Sequence, residues 1–78
     1  MRDKAIDILR SKGVKDPEGA VNELMRSGAL TEYDLCKYVA VEMWHERLVR
    51  YPDKAPTTII KEVADACHLG ENTLRRML

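Results

Sequence analysis

Four side chains of this 78-residue chain have the donor atoms a metal needs: Cys36, His45, Cys67 and His68. Zinc sites of thiolate and imidazole are built at spacings such as C-x2-C and H-x3-H, and no pair among these four has one. Both cysteines fall at apolar positions of helical patterns, where a free thiol behaves as a small hydrophobe, so buried reduced thiols and no metal or other cofactor are expected. Nucleophilic chemistry fares no better. There is no glycine-rich phosphate loop, no H-E-x-x-H, and no Ser or Cys with an obvious local partner. In "WHERLVRY" His45 and Glu46 are adjacent, and consecutive helical residues point in different directions, which makes a poor acid–base pair. Neither enzyme activity nor a small-molecule substrate is expected. The remaining polar chemistry gathers in the last third of the chain: Thr57, Thr58 and Lys61, then Glu71, Asn72, Thr73, Arg75 and Arg76. These hydroxyl, ammonium, carboxylate, amide and guanidinium groups are suited to hydrogen bonding rather than to bond breaking.

The elements that carry these groups must come from one small domain, since a chain of this length buries only about 60% of the surface its unfolded form exposes. Apolar residues make up 45% of the sequence and charged residues 33%, too apolar for disorder and too charged for a membrane-embedded chain. No window reaches the roughly 18 consecutive apolar residues of a spanning helix, and "MRDKAIDILRSKG" has charges where a secretory signal would be apolar. A cytoplasmic protein with no membrane partner is expected. Thirteen Lys and Arg balance thirteen Asp and Glu, so no global positive field draws the chain onto nucleic acid.

Strand signals are nearly absent: there is no Phe, and no stretch alternates apolar and polar residues over several positions. The spacing predicts an all-α fold, a small bundle of about five helices. The first helix, roughly residues 3–12, carries Ala5, Ile6, Ile8 and Leu9 and ends at Gly13, with Val14 folding back on its last turn. The second takes Asp16 as N-cap and Pro17 as first residue, with Val21, Leu24 and Met25 inward and Ala20 beside them. "LRSKGV" and "MRSGAL" share one stop grammar of basic residue, glycine and returning apolar residue, and read as two caps rather than a duplicated module. Thr31 opens the long central helix, with Asp34 placed for a capping box weaker than one with Glu. That helix runs to about Arg50. Leu35, Cys36, Val39, Ala40, Met43, Trp44, Leu48 and Tyr51 recur at steps of three and four, with Tyr38, Val41 and Val49 on neighbouring faces. Trp44 is expected as a largely buried anchor against the C-terminal hairpin, and His45 in solvent.

Pro52 and Pro56 in "YPDKAP" stop the central helix and form the one linker-like segment. They divide a three-helix unit, residues 1–51, from a hairpin of two short helices, residues 57–78. Thr57 or Thr58 is expected to cap the fourth helix, which carries Ile59, Ile60, Val63, Ala64 and Cys67. The fifth starts between Gly70 and Asn72. Helices this short are marginal alone and must pack on the central helix. Arg47, Arg50 and Lys54 form a modest basic cluster near the linker, either a solvated helix end or a phosphate-contacting edge.

A helix-turn-helix needs apolar residues at fixed places and one small residue where two helices cross. With Ala64 as the small residue, the inward positions are Val63, Cys67, Leu69, Leu74 and Met77, all apolar. The stretch "TTIIKEVADACHLGENTLRRML" therefore resembles the helix-turn-helix of bacterial and phage transcription regulators, over about 22 of 78 residues. It departs from that pattern at His68, where the family most often has Gly, and at Gly70, where it has a capping Ser or Thr. A second arrangement, in which Gly70 ends one helix and Asn72 caps the next, lengthens the turn. The resemblance implies double-stranded DNA as partner and a final helix lying in the major groove. Glu71, Asn72, Thr73 and Arg75 or Arg76 would then meet base edges, and Thr57, Thr58 and Lys61 would meet phosphates. The bland alternative makes Arg75 and Arg76 complements of a helix dipole and Asn72 a cap. The final helix has room for about seven residues, roughly 10 Å, which raises the expectation of a chain continuing past Leu78. Two functions follow: a small DNA-binding regulator or mobile-element protein, or a helical interaction module whose partner is another protein or a second copy.

Overall fold

A computed structural model describes residues 1–78 as five helices and no strand. They are α1 (Arg2–Ser11), α2 (Pro17–Arg26), α3 (Glu32–Arg50), α4 (Pro56–Ala66) and α5 (Glu71–Met77). The all-α fold and the long central helix are as the spacing predicts. No helix is long and apolar enough to cross a membrane.

The helix ends follow from single residues. At the end of α1, Gly13 is left-handed (φ +89°), its N–H donates to the Arg10 carbonyl, and the Val14 N–H donates to Leu9 at 3.1 Å. Those two bonds satisfy carbonyls a helix terminus otherwise leaves unpaired. Gly28 (φ +81°) ends α2 in the same conformation, but the chain closes one residue later, with the Leu30 N–H reaching back to Leu24. Asp16 caps α2 by accepting from the Gly19 N–H at 3.2 Å, with Pro17 as first residue. At α3 the capping box forms in full: the Asp34 N–H donates to the Thr31 hydroxyl at 3.1 Å, and the Thr31 N–H donates to the Asp34 carboxylate at 2.9 Å. A shorter Asp serves where Glu is usual.

One core runs through all five helices, from Ala5 and Ile6 through Val21, Leu35, Val39 and Ala40 to Ile59, Val63, Ala64, Cys67 and Leu74. The central helix α3 packs against α1, α4 and α5, whereas α2 packs on α1 alone. A 10-residue helix holding only one neighbour keeps one flank open, and Leu24, expected inward with Val21 and Met25, is 46% exposed there. Ala20 is exposed as well.

The central helix is covered unevenly for a reason of length. At 1.5 Å per residue its 19 residues span about 28 Å, while α1 and α4 span about 15 Å each. Its fully buried residues, Leu35, Val39 and Ala40, all lie in its N-terminal half, whereas Val49 is 84% exposed and Tyr51 44%. Both were expected to add to the apolar face. Trp44 lies partly buried at the margin of the core rather than as its anchor, and Cys36 is likewise only partly buried. Tyr51 finds a different use, with the Lys54 ammonium 5.1 Å from its ring centre as the linker turns back.

Candidate nucleic-acid interface

The C-terminal hairpin begins at Pro56, ahead of both threonines expected to cap it. Pro56 has φ preset for the first helical position and no N–H to leave unpaired, so α4 starts there with Ala55 as an extended N-cap and no side-chain cap. Thr57 and Thr58 lie exposed in the first turn instead. The Ala55 carbonyl takes the N–H groups of both Thr58 (3.0 Å) and Ile59 (3.2 Å), which leaves the Thr57 N–H as the open backbone donor of this turn.

The exit from α4 decides how closely α5 can follow. His68 is left-handed (φ +55°), the only non-glycine residue of the chain with positive φ. Its N–H donates to the Asp65 carbonyl at 3.4 Å and the Leu69 N–H donates to Ala64 at 2.9 Å, the bond pattern Gly13 makes at the end of α1. Gly70, with φ −73° and ψ 146°, is an extended N-cap of α5 and does not terminate α4. Asn72 is the second residue of α5 and not its cap. The longer-turn arrangement, with Gly70 as stop and Asn72 as cap, does not occur.

Packing fixes which faces remain. Val63, Cys67 and Leu74 are fully buried, Ala64 nearly so, and Leu69 and Met77 pack on them partly covered. At 100° per residue, burial of Leu74 and Met77 turns Asn72, Arg75 and Arg76 outward together, with Glu71 at the border and half-covered Thr73 on the flank. The Arg76 Nε–H donates to the Asn72 carbonyl at 3.3 Å and lies along that face. On α4 the exposed side presents Thr58, Lys61 and Asp65.

The electrostatics separate this hairpin from the rest. Eight of the thirteen cations pair with a carboxylate, and Lys61, Arg75 and Arg76 are among the five that do not. Glu62 is turned away from them, accepting Lys54 Nζ at 2.8 Å and Arg47 at 3.0 Å. The Lys54 hydrogen bond, with the charges of Lys54 and Arg47, holds the Glu62 carboxyl below its ordinary range. Arg50 pairs with Glu46, so the basic cluster near the linker is spent on internal pairs. Asp65 and Glu71 remain exposed and unpaired on the hairpin. The Glu62 clamp escaped sequence reasoning because its partners lie 8 and 15 residues away, with no local periodicity to betray them.

The metal-donor side chains do not converge: His45 and His68 are exposed, Cys67 is buried, and no three potential ligands form a group. Cys67 instead has its sulfur 3.6 Å from that of Met43 on α3. Comparison with family models, curated proteins and solved structures finds no significant match to this chain.

Proposed function

We propose that the chain is a small helix-turn-helix DNA-binding module, with α5 as the helix that enters the major groove. The observation that carries this is the outward face of α5, where Asn72, Arg75 and Arg76 stand together free of carboxylate partners while Leu74 on the opposite face is fully buried. Asn can make two hydrogen bonds to adenine and Arg two to guanine, so this face has the donors and acceptors that distinguish base pairs. Glu71 and Thr73 flank it, the first able to accept from cytosine. Thr57, Thr58 and Lys61 supply hydroxyl, backbone and ammonium donors for phosphates at the start of α4. A regulator or mobile-element protein of this kind works on DNA in the cytoplasm.

The balanced charge of the chain and an apolar groove beside α2 favour a second function, a protein-interaction module in which the hairpin only packs. Fluorescence anisotropy with pooled random duplexes at two salt concentrations separates them. A DNA-binding hairpin gains anisotropy at low salt and loses most of it in Arg75→Ala/Arg76→Ala, whose exposed positions leave the fold intact. No binding at low salt refutes the DNA module.

A further inference from the structure

Because α2 packs on α1 and not on α3, the space between α2 and α3 is an open groove of about 310 Å³, floored by Leu9 of α1. All nine side chains lining it are apolar. Leu24 and Tyr38 form its walls, and Leu30 and Val14 close its ends. The volume is about twice the ~150 Å³ that takes a benzene-sized group, so a branched side chain from outside fits with room to spare. Leu24 is both a wall of this groove and a knob, being 46% exposed, and Val14 beside it is 39% exposed.

We propose that this is a self-association face, on which two copies pair about a two-fold axis with Leu24 of each seated in the groove of the other. A two-fold interface must carry its knob and its hole on one patch, which Leu24 and the groove do. The bordering charges also suit a second copy. Glu23 pairs with Arg26 on α2 and Asp34 with Lys37 on α3, and Lys15, which follows Val14 without an ion-pair partner, stands next to Asp16, so the charges sum to zero and the face neither repels itself nor steers in a partner of one sign. Two helices about 10 Å apart, matched over the roughly 15 Å length of the shorter α2, offer roughly 300 to 500 Å² per copy, below the ~800 Å² of a standard interface, which makes the dimer weak and concentration-dependent. None of the groove lining comes from α4 or α5, so both hairpins stay free in the pair. Six unpaired hairpin cations then act in one particle instead of three.

The test is sedimentation velocity of the intact chain from about 5 µM to 1 mM, without DNA, beside Leu24→Glu. A monomer–dimer transition is expected in the wild type. Because a two-fold contact loses the burial twice, the variant's midpoint rises about 100-fold or more, with circular dichroism unchanged. A wild type that stays monomeric to 1 mM overturns the proposal, as does a folded variant that dimerises as the wild type does. If Leu24→Glu unfolds, NMR on a mixed-label wild-type sample decides: contacts between Leu24 methyls of one copy and Tyr38 of the other support the pairing, and their absence at dimer concentrations refutes it. A chain that dimerises but ignores duplex sinks the DNA module alone. One that binds duplex but stays monomeric to 1 mM sinks this pairing alone.

Discussion

The Leu69 backbone N–H donates to the Ala64 carbonyl at 2.9 Å, and that bond turns the chain from α4 into α5 within four residues. It forms only because His68, between them in sequence, accepts a left-handed backbone that Gly13 and Gly28 adopt freely at the other two stops. A side chain in that region costs about 1 kcal/mol or more. His68 is exposed and makes no side-chain hydrogen bond, so nothing offsets the strain locally.

His68→Gly should therefore stabilise the fold by about 0.5 to 1 kcal/mol, after the extra freedom glycine gives the unfolded chain. In thermal unfolding that is a rise of about 2 to 8 °C for a domain of this size. An unchanged or lower Tm contradicts the strain assigned to this residue.

Leu74 holds α5 against α3 and α4, fully buried. Leu74→Ala should cost about 2 to 5 kcal/mol in denaturant unfolding, as buried leucine truncations do, and should disperse the outward face of α5. A loss under about 1 kcal/mol would show that α5 does not depend on this contact. Trp44, larger but only partly buried, should cost less per unit of side-chain area.

Acid should loosen two clamps together. The Thr31 backbone hydrogen bond, with that of its hydroxyl, holds Asp34 below its ordinary 3.8, and Lys54 with Arg47 holds Glu62 below 4.5. A lowered folded pKa contributes stability that is full above the ordinary value and lost as pH falls through the lowered one. Tm should thus be insensitive to these groups above about pH 5 and fall below about pH 4. In Glu62→Gln the drop should be shallower and the neutral-pH Tm lower. Equal acid slopes for variant and wild type would contradict the clamp.

Thiol chemistry should split into two phases. Burial pushes the Cys67 thiol up and shuts off access, whereas Cys36 is only partly covered, a departure from the two buried thiols its apolar helical position suggests. A neutral disulfide reagent should modify one thiol quickly and the other only on unfolding, and Cys36→Ser should remove the fast phase. Rapid modification of two thiols in the native state would contradict the packing of Cys67.

What could be read in advance was local. Gly13, Asp16 with Pro17, and Thr31 with Asp34 each act within one turn of the chain, so their residue types announce the helix ends. Val63, Cys67 and Leu74 are legible for the same reason, as spacing on a single helix is enough to put them inward. What depends on neighbours was not. Leu24 lies in the right stripe, but no helix covers that flank of α2, and Val49 and Tyr51 extend past the ends of the shorter helices beside α3. Thr57 and Thr58 resemble caps, yet Pro56 pre-empts them. The pairing of Glu62 with Arg47 and Lys54 joins three elements and has no signature in any one of them.

The central claim is that the face of Asn72, Arg75 and Arg76 meets duplex DNA, and the most direct measurement is a ¹⁵N NMR titration of the chain with pooled random duplexes at low salt. The largest shifts are expected at Arg75 and Arg76, with smaller ones at Thr57, Thr58 and Lys61. Raising the salt should weaken binding with a log–log slope of about −2 to −4, as three free cations displacing about three counterions require. Replacing Asn72 should weaken a selected site by about 1 to 3 kcal/mol while leaving the random pool nearly unaffected. Duplex added at low salt with no shift in residues 57–78 would contradict the claim.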